Sequence, residues 1–168
     1  HVYPYKMEKG YRVNQARGLV SLGLFKDYDD IRNSPTQTFG TVQPGDIKYK
    51  DVNGDGIIDA NDEVPIGATT RPNLMYGFGV AANWKGLDVN VHFQGTGKSS
   101  FFVEGATVYA FSQGEWGNIL SQVASSNRWV SADISGDPAT ENPNASYPRL
   151  SFGGNDNNYR HSTYWLRD

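Results

Sequence analysis

The chain has 168 residues, a net charge of −3, no cysteine, and 38% hydrophobic residues. The missing cysteine excludes disulfide scaffolds, cysteine zinc sites, thiol catalysis and iron–sulfur clusters. The acidic balance leaves no basic stripe to neutralise phosphates, so nucleic acid is not an expected partner. Aromatics reach 13% and there are 19 glycines, a composition of strands and turns rather than of a helical bundle.

Residues 1–16 are mixed and polar. Residues 17–25 (RGLVSLGLF) are apolar but broken by glycine, which predicts strand or turn. Asp27 to Asn33 has room for one helical turn before Pro35 stops it. Residues 34–46 read as loop, and an acidic, glycine-studded segment follows.

In that segment, Asp51 to Asp62 aligns with a calcium loop. Asp51 takes position 1, Asn53 position 3, Asp55 position 5 and Gly56 position 6. Ile57 offers its carbonyl at 7, Asp59 stands at 9 and Asp62 at 12. Calcium needs six to eight oxygens on a flexible loop, and glycine at position 6 allows the sharp turn. The competing reading is a surface loop closed by aspartate side chains on its own backbone. Pro65 and Gly67 forbid the second helix of an EF-hand, so the segment is expected to staple strands.

Residues 73–95 alternate with period 2. Leu74, Tyr76, Phe78, Val80, Ala82 and Trp84 share one phase, then Leu87, Val89, Val91 and Phe93 after a Lys85-Gly86 turn. Asp88, Asn90, His92 and Gln94 occupy the other phase. The pattern predicts a hairpin with one apolar face, which either forms the core of a soluble sheet or meets lipid in a barrel. Gly77-Phe78-Gly79-Val80-Ala81-Ala82 matches a dinucleotide fingerprint. That motif requires a helix after the glycines, and the period here stays at 2.

Residues 96–163 are a long polar region with one helix expected over 113–126. Ser112 and Glu115 have capping-box spacing, and Trp116, Ile119, Leu120 and Val123 fall on one face. Tyr109, Trp116, Trp129 and Tyr147 are candidate sugar-stacking residues, though ordinary packing is the commoner use of such rings. His1, His92 and His161 match no zinc spacing, and no nucleophile elbow occurs, so no enzyme is expected. The chain stops within an aromatic, strand-like run and reads as a section of something longer.

Taken together, Gly45-Asp46-Ile47-Lys48-Tyr49 with Asp51-Val52-Asn53-Gly54-Asp55-Gly56, then Ile66-Gly67, Lys85-Gly86-Leu87-Asp88, Arg128-Trp129, Tyr147-Pro148-Arg149-Leu150 and Trp165-Leu166-Arg167-Asp168, resemble the SusC/RagA family of TonB-dependent outer-membrane transporters. The resemblance implies a mainly β fragment of a large antiparallel outer-membrane barrel. The hairpin would be two membrane strands, and residues 46–67 and 96–163 would be extracellular loops. It implies import of oligosaccharides or peptides, a SusD-like surface lipoprotein as partner, and energy from a TonB complex contacted by parts outside this chain. The alternative is a calcium-stapled, soluble, β-rich carbohydrate-binding module.

Overall fold

The computed structural model describes residues 3–112, 114, 117–125 and 127–168. Strands dominate and helices are few and short. The strands are β1 (Gln15–Gly18), β2 (Ser21–Leu24), β3 (Thr36–Gln37), β4 (Ile47–Tyr49), β5 (Ile57–Ile58), β6 (Val64–Thr69), β7 (Leu74–Trp84), β8 (Leu87–Gly97), β9 (Phe101–Phe102) and β10 (Leu166–Arg167). The helices are α1 (Tyr28–Arg32), α2 (Ser121–Ser125) and α3 (Ala132–Ser135). Strands pair two by two: β1 with β6, β2 with β4, β7 with β8 and β9 with β10 antiparallel, and β3 with β5 parallel. Among the described residues no closed barrel forms. Only β7 and β8 are long, and closure takes about eight such strands.

The local expectations largely hold. The 17–25 segment holds the end of β1 and all of β2, joined through Leu19 and Val20, and α1 is one short helix whose Asp27 side chain accepts the Asp30 N–H at 2.7 Å. Among the described residues of the helix expected over 113–126, Ser121–Ser125 form α-helix. Gly114 takes φ +60°, a left-handed conformation that an α-helix does not use, and Gly117 to Leu120 are irregular. Its capping residue Glu115 and its first apolar residue Trp116 lie outside the described residues.

The molecule divides into a packed body and a projecting hairpin. The core of the body is Leu19, Leu24, Ile47, Tyr49, Ile58, Trp129, Ala145 and Trp165. So small an apolar set is completed by a buried amide network. Strand β4 has β2 on one edge, and its remaining polar groups meet side chains instead of a strand. Gln37 Nε2 donates to the Ile47 carbonyl at 3.0 Å, and Gln37 Oε1 accepts the Tyr49 N–H at 2.7 Å. Asn158 Oδ1 accepts the Ile47 N–H at 2.9 Å, and the Tyr49 hydroxyl donates to the Asn157 carbonyl at 2.6 Å. Buried polar groups are stable only when satisfied, and two distant segments, at Gln37 and at Asn157-Asn158, satisfy these.

Asp46, fully buried, anchors the same network. It pairs with Arg149 Nε at 2.8 Å and accepts from the amides of Asn155 and Asn158 at 3.1 and 2.9 Å. Beside it Gly45 sits at φ +86° against the Trp129 ring, where a Cβ would come within 2.4 Å.

Candidate functional site

The hairpin is the first candidate surface. The turn at Lys85 and Gly86, with φ 47° and 86°, has both central residues left-handed, which matches the twist of the flanking strands. The register sets Tyr76 against Gly95, Phe78 against Phe93, Val80 against Val91, Ala82 against Val89 and Trp84 against Leu87. On this face each apolar residue is set against another or against a glycine, and Gly77–Gln94, Gly79–His92, Ala81–Asn90 and Asn83–Asp88 line the opposite face. The Phe78 and Phe93 rings stack with centroids 5.0 Å apart. Tyr76 lies flat on Gly95, where a Cβ would come within 2.3 Å of the ring.

In a soluble sheet this face would be core. It is not. Leu74, Phe78, Val89 and Phe93 are 44%, 59%, 46% and 52% exposed, and the whole of β7 is exposed on both faces. A contiguous bare apolar face on two 11-residue strands marks an interaction surface. Eleven residues also match the length of a tilted membrane strand. Lys85 Nζ lies 5.1 Å over the Trp84 ring at the tip, an amphipathic pair of the sort found at membrane interfaces. No described helix is long and apolar enough to cross a membrane.

The acidic loop is the second. Asp51 Oδ1 accepts the Gly54 N–H at 2.6 Å, and Oδ2 accepts the Gly56 N–H at 2.8 Å. These bonds, that to Gly56 foremost, hold the Asp51 carboxyl below its usual range. Asn53 Oδ1 accepts the Asp55 N–H, and Asp55 Oδ1 accepts the Ile57 N–H, both at 2.9 Å. Asp59 accepts the Asn61 N–H at 2.6 Å. Asp62, at 0% exposure, closes the loop: Oδ1 accepts the Val52 N–H at 2.8 Å and Oδ2 the Asp59 N–H at 2.9 Å. The side chains thus serve the loop's own backbone. Among the described residues no group of three or more acidic or imidazole side chains converges as a metal site. The Ile57 side chain is exposed.

The aromatic candidates separate. Tyr109 stacks on Tyr159 with centroids 4.3 Å apart and meets Trp165 edge-on, and burial raises its hydroxyl to about 12. Tyr147 packs near Trp165 as well. Trp129 is 6% exposed, its ring held under Gly45. It forms one wall of an open cleft of about 570 Å³ with Tyr28, Ile134, Arg128 and Glu141. Trp116 lies outside the described residues. The Asp46, Gln37, Asn155, Asn157 and Asn158 network escaped the reading from sequence. Its visible trace there is the Asn155-Asp156-Asn157-Asn158 run, too common in surface loops to point inward.

No family model matches the sequence. The chain is 33% identical over 132 residues to TonB-dependent receptor P26 of Formosa agariphila, across 79% of this chain. It spans 12% of that protein's length. Over most of its residues, therefore, this chain is similar to a short stretch of a TonB-dependent receptor.

Proposed function

We propose that the chain is a section of a TonB-dependent outer-membrane importer. In this reading β7 and β8 are two barrel strands, with Lys85-Gly86 as a periplasmic turn and the packed body as extracellular loop. The observation that carries it is the uncovered apolar face of the hairpin, each of whose pairs sets apolar or glycine against apolar. Lipid is the solvent such a face needs, and the small and polar opposite face suits a lumen. The finer assignment is to the SusC/RagA group. It carries an oligosaccharide or peptide cargo, a SusD-like lipoprotein over the external loops, and a TonB complex engaged through parts outside this chain. The resemblance in motif order supports that finer level. The role is transport, not catalysis.

These 168 residues contain no cysteine, so a single cysteine placed among them, in a receptor cleared of any cysteine elsewhere, reports cleanly. In the receptor in its membrane, Val80→Cys should resist a water-soluble maleimide and be quenched by a lipid-borne nitroxide once fluorescently labelled. Ala81→Cys should behave oppositely. Equal aqueous reactivity at both positions would favour the soluble carbohydrate-binding module.

Calcium at the acidic loop is a separate proposal, supported by the spacing of Asp51, Asn53, Asp55, Asp59 and Asp62. An ion would have to share or displace the backbone donors these oxygens now accept. Calorimetric titration decides it: calcium heat present in the native chain and lost in Asp55→Ala supports binding, and identical heats refute it.

A further inference from the structure

We propose that the Asn53–Gly54 linkage in the acidic loop is a latent deamidation site, and that the Asp51 carboxylate holds it closed. Glycine after asparagine offers the least steric obstruction to attack on the side chain, because it has no Cβ. Gly54 is exposed at φ +77°, with open space where a Cβ would stand, so water reaches the linkage. The reaction balances with water alone. The Gly54 nitrogen gives its proton to solvent base and attacks Asn53 Cγ. The new N–Cγ bond closes a succinimide, and the Cγ–Nδ2 bond breaks, releasing ammonia. Water then opens either ring carbonyl, leaving aspartate or isoaspartate at position 53.

Four contacts oppose the first step. The Gly54 N–H donates to Asp51 Oδ1 at 2.6 Å, so the attacking nitrogen is engaged, and the adjacent negative charge disfavours loss of its proton. The Asn53 amide is held at both ends. Its Oδ1 accepts the Asp55 N–H at 2.9 Å, and its Nδ2 donates to Asp55 Oδ2 at 2.9 Å and to the Tyr3 hydroxyl at 3.3 Å. Asp51 is thus a positioning residue that suppresses a reaction its neighbours invite.

The product would reverse the loop's logic. A carboxylate at 53 cannot donate to Asp55, and it adds negative charge to a segment that already holds Asp51, Asp55, Asp59, Asp62 and Glu63. The isoaspartyl form also inserts a methylene into the main chain. Modification would open the loop one way.

The test incubates the chain in heavy-oxygen water at mildly alkaline pH and reads label at position 53 by peptide mass spectrometry, folded and in urea. Folded wild type should label about tenfold or more slowly than the urea-unfolded chain. Asp51→Ala should bring the folded rate close to the unfolded one. Asp59→Ala, which frees the Asn61 N–H at the far end of the loop and leaves Gly54 capped, should stay near wild type. Equal folded and unfolded rates in wild type would overturn the proposal. So would equal acceleration by Asp51→Ala and Asp59→Ala, which would mean general loosening. If Asp51→Ala fails to fold, Asp51→Asn replaces it: faster labelling than wild type supports the proposal, and an unchanged rate overturns it.

Discussion

Asp46 shows how much a single side chain carries in this body. It has no exposure and accepts from Arg149, Asn155, Asn158 and the Gln43 N–H. Asp46→Ala strands a guanidinium and several amide donors at once. Breaking one side of a buried pair costs about 3–5 kcal/mol, so urea unfolding should show a loss of that order. Gly45→Ala should cost about 2–4 kcal/mol by the same measurement. The residue must hold a left-handed backbone, and its Cβ meets the Trp129 ring. Asp51 sets a pH response. Its carboxyl lies below the ordinary carboxylate value in the folded chain, so its contribution is complete above that value and is lost as pH falls through the folded one. Protection of the Gly54 and Gly56 amides, read as the exchange rate relative to the intrinsic rate at the same pH, should therefore fall on acidification, and Asp51→Ala should remove that fall.

The hairpin argues at the level of the element. Its strand phase, turn and apolar face were legible in the sequence because period 2 is a local property of 23 consecutive residues, 73–95. Strand β8 runs two residues further than that pattern, to Gly97, because the pairing continues to Leu74. In a bilayer the two faces should respond oppositely to charge. Val80→Lys should destabilise the receptor by about 2–4 kcal/mol near the midplane, and Ala81→Lys should be tolerated, by urea unfolding in lipid vesicles. The helix near 113–126 marks the limit of the same reasoning. A one-sided apolar stripe is present, but Gly114 takes a left-handed φ and, among the described residues of that stretch, the α-helix is Ser121–Ser125.

As a whole, the molecule is a polar body with buried tyrosines and a bare apolar projection. Burial raises the hydroxyls of Tyr49 and Tyr164, and that of Tyr109 to about 12. A neutral form preferred by the fold gives stability that is complete below the ordinary tyrosine value near 10 and declines as pH rises toward the folded values. Alkaline titration should show delayed tyrosinate absorbance that appears together with loss of near-ultraviolet circular dichroism. The projection needs an apolar environment, and a detergent micelle should cover it. Fluorescence of Trp84, 67% exposed at the hairpin tip, should shift to the blue on adding detergent.

By itself the sequence determined what neighbours along the chain decide: the hairpin and its turn, the short helix between Asp27 and Asn33, and the acidic, glycine-studded loop from Asp51 to Asp62. Tertiary structure alone decided what covers what. Asp46 meets Asn158 across 112 positions of chain, and Tyr49 meets Asn157 across 108. No local period encodes such contacts. The same holds for Trp129, which the sequence left open between a sugar-stacking ring and ordinary packing, and whose ring is buried where Gly45 leaves space for it. For the hairpin, alternation established that one face is apolar, and only the packed body established that nothing in the described chain covers it. A strand's period reports which side chains share a face, and the solvent on that face is set by everything else in the molecule.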